Sequence, residues 1–308
     1  MSENRAEPLS PIDAATLWPQ LHRLSTEVVA TRGGENLLLS AGFAATGLTR
    51  LPRVPRTAVV GVRRGLSYRG VAVARELAGG AGWEAISLRI ARDKDDDSVT
   101  RLLAGASIEV ARRGGRSVYL RFPEGSAHET AVRRAGFVPY REERVYALPH
   151  APAPAESPGM FRPLTRSDRA GVFRLYCRSV PHHIRQYEAP TQVEWRSVLD
   201  SFDCEREFVV EGDKGLVAWA GFGDRECRVM LERDSEGVTE ACLDLVEAQA
   251  ARPGTLVIAE EQSALEHNAL ERGYTHLGVR WMCVRRLAVL NSLKEVVAVP
   301  AESLALPQ

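Results

Sequence analysis

The chain has 308 residues, 44% of them hydrophobic and 26% charged, with 40 Lys/Arg balanced by 40 Asp/Glu. That length suits two domains of about 150 residues, the composition is ordinary for a soluble globular protein, and the neutral balance argues against nucleic acid as a partner. No run of about 18 apolar residues occurs, so no membrane span is expected, and the polar stretch Met1 to Pro8 lacks an apolar signal core, which makes the cytoplasm the expected location.

Asp13 to Ala30 reads as a helix with its cap near Ile12/Asp13. Leu37 to Leu48 is apolar and interrupted by glycine, and carries no assignment. Thr57 to Val62 and Gly70 to Leu77 read as strands. The turn Gly79-Gly80-Ala81-Gly82 leads into a third strand, Trp83 to Ala91. Ser98 to Arg113 has the apolar spacing of an amphipathic helix, through Val99, Leu102, Leu103, Ala106, Ile108 and Val110. Gly114-Gly115 stops it. A strand over 117–122, a helix over 126–135 and a strand over 137–147 complete the first half.

Residues 149–160 hold a Pro/Ala-rich stretch that can neither continue a helix nor fill a central strand, so they read as a linker. The second half then repeats the order. Phe161 to Leu164 opens a strand, Thr165 to Asp168 caps a helix over Ala170 to Ser179, and Thr191 to Phe202 is helical. Glu207 to Glu211 and Leu216 to Gly223 form a hairpin, followed by a strand over Glu226 to Leu231 and a helix over Val238 to Ala251. Thr255 to Glu260 (strand), Ala264 to Arg272 (helix) and 276–286 (strand) follow. Residues 291–308 read as a tail.

The two halves close on the same phrase. Ala131 to Phe137 ends in Arg134-Ala135-Gly136-Phe137, and Leu270 to Tyr274 ends in Glu271-Arg272-Gly273-Tyr274. Gly136 and Gly273 are 137 positions apart, and the preceding strands start 138 apart at Ser117 and Thr255. A supersecondary unit recurring at constant offset marks a duplicated architecture. The expected fold class is α+β in two units, residues 1–148 and 161–290, with 1–56 the poorest match to the repeat. The order of elements and the fragment Arg134-Ala135-Gly136-Phe137-Val138-Pro139-Tyr140 resemble the GNAT superfamily of N-acetyltransferases over 57–148 and 161–286. The resemblance implies two tandem GNAT-like (acyl-CoA N-acyltransferase) domains. Each would be a mixed, mostly antiparallel sheet flanked by helices, using acetyl-CoA to acylate a small-molecule or peptide amine.

In that superfamily a glycine-containing turn after the fourth strand opens the long helix, so that main-chain N–H groups and the helix dipole meet a pyrophosphate. The first half has Ala91 to Thr100 there, with four aspartates and no glycine. The second half has Leu231-Glu232-Arg233-Asp234-Ser235-Glu236-Gly237-Val238. The resemblance therefore assigns cofactor binding to Arg233, Ser235, Gly237 and Val238, although Gly237 is equally readable as a plain turn residue. The family's tyrosine general acid is replaced by Val132 and Ala269, and its asparagine by Gly125 and Gln262. A general base is expected on or near the fourth strand, which nominates Glu84 in the first half and Glu226 and Glu232 in the second. Each is also readable as a solvated carboxylate on a strand face.

Residues 1–150 carry 22 Lys/Arg and 16 Asp/Glu, a surplus of six, and the second half carries the opposite surplus. That asymmetry suits a basic half drawing an anionic cofactor, two halves that dock on each other, or simple drift in surface charge. The five cysteines all lie in the second half, none closer than 15 residues to the next, which excludes a CxxC pair and short-loop zinc spacing. His182-His183 and His267 have no ligand-spaced partners, so no metal is expected. Two functions remain open: an acyl-CoA-dependent N-acetyltransferase, or a catalytically inactive tandem protein that binds a ligand or partner.

Overall fold

The computed structural model describes residues 6–9, 13, 16, 17, 20, 23, 24, 26–30, 56–65, 67–92, 95–149, 159–233, 236–250 and 254–288. The expected tail and nearly all of the expected linker lie outside these residues, as does Leu37 to Leu48.

The first half begins with β1 (Ala6–Pro8) and β2 (Thr26–Ala30). The antiparallel run β3 (Thr57–Arg64), β4 (Ser67–Glu76) and β5 (Gly82–Ile90) follows. Gly79 and Gly80 turn the β4–β5 corner at φ 94° and 76°, a region closed to most side chains. Helix α1 (Asp96–Arg112) is capped by the Asp95 carboxylate, which accepts from Ser98 N at 3.1 Å. Asp96 and Asp97 in its first turn face the positive end of the dipole. Then come β6 (Ser117–Pro123), α2 (Glu129–Arg134) and β7 (Val138–Ala147).

The second half runs β8 (Arg162–Pro163), α3 (Arg169–Ser179), α4 (His182–Glu188) and α5 (Gln192–Ser201). It continues through β9 (Arg206–Gly212), β10 (Gly215–Phe222), β11 (Glu226–Leu231) and α6 (Glu236–Gln249). It ends with β12 (Thr255–Ala259), α7 (Ser263–Glu271) and β13 (Thr275–Arg286). Helix α5 starts on a capping box in which Thr191 Oγ1 accepts from Glu194 N, and the Glu194 carboxylate accepts from Thr191 N at 3.2 Å. Gly136 and Gly273, the repeated glycines, both adopt φ +82° just past α2 and α7. No described helix is long and apolar enough to cross a membrane.

One expectation is overturned. The helix predicted over Asp13 to Ala30 does not reach its end, because Thr26–Ala30 is strand β2, hydrogen-bonded antiparallel to β5. Val28 and Val29 are β-branched and buried in the sheet's core, and that burial outweighs the helical reading. Helix α4 is an element to which the sequence pattern assigns nothing.

All strands form one sheet in the order β1-β3-β4-β5-β6-β13-β7-β12-β11-β10-β9-β8, with β2 beside β5. The centre is an exchange. β13, the last strand of the second half, pairs antiparallel with β6 of the first, from Ser117↔Arg286 to Pro123↔Arg280. β7, the last strand of the first half, pairs with β12 of the second, from Ala147↔Thr255 to Glu143↔Ala259. β7 and β13 pair with each other between them. Each half's sheet is thus completed by a strand of the other.

One face of the sheet is covered by α1 and α2 in the first half and by α6 and α7 in the second. On the other face, Val172, Leu175 and Tyr176 of α3, Ile184 of α4 and Trp195 and Val198 of α5 pack on residues of both halves. These include Leu77, Tyr119 and Tyr140 as well as Trp219, Met230 and Met282. Fully burying one such side chain contributes about 1.5–3 kcal/mol, so this shared core ties the halves together.

Candidate functional site

Each half contains a fork between two parallel strands. β5 and β6 pair at Gly82↔Ser117, Trp83↔Val118 and Glu84↔Tyr119. β11 and β12 pair at Glu226↔Thr255, Cys227↔Leu256 and Arg228↔Val257. Beyond these three pairs the strands part. Main-chain groups that turn into such a gap must find other partners.

The two gaps are closed differently. In the first, β2 lies along the freed edge of β5, pairing Thr26↔Ile90, Glu27↔Arg89, Val29↔Leu88 and Ala30↔Ser87. Arg89 Nη2 donates to Glu27 Oε1 at 3.1 Å across that pairing. In the second gap the partner is a single side chain. Gly223 N donates to Glu226 O, and Glu232 N to Val217 O. The even-numbered residues of β11 therefore face β10, and Leu231 turns its main chain into the gap. The Gln262 amide fills that place: its Oε1 accepts from Leu231 N at 3.1 Å and its Nε2 donates to Leu231 O at 3.2 Å.

A cavity of about 30 Å³ lies at the second fork, walled by Tyr176, Trp195, Trp219, Met230, Val257 and Gln262 among others. Such a volume has room for about two waters. Tyr176 and Trp195 stack with ring centroids 4.0 Å apart, and Trp195 Nε1 is a buried donor without a partner among the described residues.

The nominated carboxylates fall in three settings. Glu84 is 1% exposed and ion-paired with Arg121, with Arg75 at 4.0 Å. Glu226 is more open. Its carboxylate accepts from Arg280 Nη1 at 2.7 Å and from Arg228 Nη2 at 3.2 Å. Burial pushes its pKa up, but Arg228 and Arg280 outweigh burial and hold it below the usual carboxylate range. Glu232 lies just past β11 and accepts from Arg178 Nε at 2.6 Å. Of the cofactor-binding candidates, Arg233 is exposed in the turn and Val238 packs against the second half's core. Gly237 sits in the first turn of α6, where an added Cβ would meet nothing within 4 Å. Ser235 lies outside the described residues.

Glu84 and Glu226 belong to one buried network that the sequence pattern does not announce. Glu143 of β7 is its hub, paired with Arg228, with Arg121 Nε at 3.7 Å and with Arg280 Nη2 at 3.8 Å. Burial pushes Glu143 up, yet Arg228, Arg121 and Arg280 hold it far below the ordinary range. The Phe202 ring lies over this cluster, with Arg228 Cζ 4.5 Å from its centroid. Alongside, Arg141 Nη1 donates to both oxygens of Glu188 at 3.0 and 3.2 Å and pairs through Nη2 with Glu261. Glu188 is completely buried, and burial raises its pKa despite Arg141. The signal available was the charged run Arg141-Glu142-Glu143-Arg144 inside an otherwise apolar strand pattern.

At the second fork two features stand together: a main-chain N–H and C=O pair at Leu231 held by the Gln262 side chain, and the N–H groups at the start of α6 beside the open space at Gly237. Among the described residues no group of three His, Cys, Asp or Glu side chains could hold a metal ion.

No family model matches the chain, and no curated protein matches it. Solved structures do. A GCN5-related N-acetyltransferase from Sphaerobacter thermophilus aligns over 91% of this chain and 95% of its own, with TM-score 0.51 and 13% identity. A structure from Pyrococcus horikoshii aligns over 94% and 92%, with TM-score 0.51 and 10% identity. A tandem GNAT protein from the clavulanic acid biosynthesis pathway aligns over 92% and 98%, with TM-score 0.47 and 12% identity. At these identities the likeness is one of fold.

Proposed function

From a chain that has the GNAT fold, built twice and joined in one sheet, we propose a GNAT-type N-acetyltransferase of the cytoplasm that works from one fork only, between β11 and β12. The acyl donor is acetyl-CoA and the acceptor a small-molecule or peptide amine. The observation that supports this reading is the contrast between the forks: a strand fills the first, whereas one side chain and a small cavity occupy the second.

Acetyl-CoA, when bound, supplies the activated acyl carbonyl. The chain's part is to hold and orient. Leu231 offers its main-chain pair, and the phosphates would be received by Arg233, Gly237 and Val238, with Ser235 added on the sequence reading alone. Glu226 is ionised through the neutral range, because Arg228 and Arg280 hold it low, so it can accept a proton from the attacking amine; the same arginines make it a weak base. Glu232 is the second candidate for that proton. Glu84 belongs to the first fork and stays with Arg121.

Calorimetric titration with acetyl-CoA tests the reading. One site per chain is expected, weakened at least about tenfold by Gly237→Asp, which sets a carboxylate where anionic oxygens would lie. No binding, or two equal sites, would overturn it. A second reading, a catalytically silent ligand-binding or partner-binding protein, draws support from the arginines that tie both strand carboxylates, Glu84 and Glu226. Acetyl transfer to any member of a broad amine panel, well above the uncatalysed rate, would sink it.

A further inference from the structure

We propose that Gln262 is a latch on the second fork. Its side-chain amide stands in for the paired amides of a ligand, and the fork opens when that side chain leaves Leu231. The proposal rests on the reading of this fork as the ligand-binding one.

Gln262 sits at the position before α7 where a side chain would ordinarily cap the helix, yet it makes no capping bond. It is 7% exposed and reaches across the gap to satisfy both main-chain groups of one residue on β11. A primary amide that accepts from an N–H and donates to the same residue's C=O reproduces the pairing of a residue on a neighbouring strand, whose N–H and C=O come from two successive peptide units. It is in effect a strand one residue long. Any ligand that pairs with Leu231 must first displace it, and only a ligand that presents an N–H and a C=O on one edge, as two successive secondary amides do, replaces both bonds without leaving buried groups unsatisfied. The first half shows the complement. The counterpart of Gln262 is Gly125, which has no side chain, and there the gap is closed by β2.

A displaceable partner lowers affinity, because its bonds to Leu231 must break before the ligand's form. Removing it must therefore tighten binding. Calorimetry with coenzyme A, whose pantetheine arm carries two secondary amides, is compared with adenosine 3′,5′-bisphosphate, which has none. Gln262→Ala is expected to bind coenzyme A about tenfold more tightly than the wild type, as loss of one to two competing hydrogen bonds predicts, and to bind the bisphosphate unchanged. Gln262→Met keeps the volume, removes both bonds and serves if the alanine variant does not fold. Coenzyme A affinity that is unchanged or weaker in the variants overturns the latch and leaves the proposed function standing. Should neither protein bind coenzyme A, the functional reading fails. The latch is then judged by hydrogen exchange at the Leu231 N–H, with acetamide as probe. Exchange that is slow in the wild type, fast in Gln262→Ala and slowed again by acetamide supports it, and any other pattern overturns it.

Discussion

The two forks of this molecule start alike and end differently. Each begins with three parallel pairs, and each then needs something to occupy the widening gap. The first takes a strand that seats Val28 and Val29 in the core and adds main-chain pairing along Ser87 to Ile90. Two such buried side chains contribute about 1.5–3 kcal/mol each before any hydrogen bond is counted. The second takes one side chain with two hydrogen bonds, each worth a net 0.5–1.5 kcal/mol or so. A gap closed by a hydrophobic strand is part of the fold, whereas one closed by a single amide is within reach of a ligand's binding energy. Duplication thus leaves one copy free to become scaffold while the other keeps a cleft.

The largest effect is expected where the copies are joined. Glu143 serves three arginines contributed by both halves, and Glu143→Ala leaves Arg121 only the Glu84 carboxylate and leaves Arg228 and Arg280 to share Glu226. Urea denaturation should register a loss of about 3–5 kcal/mol. Acid titration gives the sign independently. Because the folded pKa of Glu143 lies below the ordinary value of 4.5, its contribution is present above that pH and is lost as the pH falls beneath it. Glu188 acts in the opposite sense. Burial raises it, so its contribution is full below 4.5 and declines as the pH rises through its folded value. The wild type should therefore lose stability below about pH 4.5 more steeply than Glu143→Gln, and equal slopes would mean that the hub is not where the acid sensitivity resides.

Opening the first fork comes next in size. Val29 is 3% exposed between β5 and the core, and Val29→Asp buries a carboxylate with no partner provided for it. A loss of about 2–4 kcal/mol is expected in thermal or urea unfolding. The variant also tests the comparison directly. If the forks differ only in their plugs, unseating β2 should create a second acetyl-CoA site. We expect the calorimetric stoichiometry to stay at one, because the cap and first turn of α1 present Asp95, Asp96 and Asp97 in place of glycine, and Asp95 is already committed as the helix cap.

The order of elements was legible because it rests on local signals. Apolar spacing marked α1, the Gly79-Gly80 turn marked the β4–β5 corner, and Gly136 and Gly273 marked the matching helix ends. What escaped was non-local. Nothing in the patterns of β7 and β13 says which half's sheet either strand will join, since both are long strands with mixed faces. β2 hid behind a helical start at Asp13, because its strand character comes from β5. The charges of Glu84, Arg121, Glu143 and Arg228 look solvated on paper and are buried in the folded chain, where the Phe202 ring lies over Arg121 and Arg228. Gln262 was visible as a departure from the asparagine of the superfamily that the sequence resembles, but its bond to a residue 31 positions away was not.

The smallest effect compares the copies at their most alike point. Gly136 and Gly273 share φ +82°, so alanine at either forces a left-handed conformation and should cost about 1 kcal/mol. Their surroundings differ. A Cβ on Gly136 would come within 3.4 Å of Arg285 Nε, whereas one on Gly273 would meet nothing within 4 Å. The 3.4 Å approach is an ordinary van der Waals contact with a side chain of β13, the strand that the second half lends to the first. Gly136→Ala and Gly273→Ala should therefore lower the melting temperature by similar amounts, set by the backbone alone. A clearly larger drop for Gly136→Ala would mean that Arg285 cannot give way to the added methyl, and that the copies differ even at their most alike point.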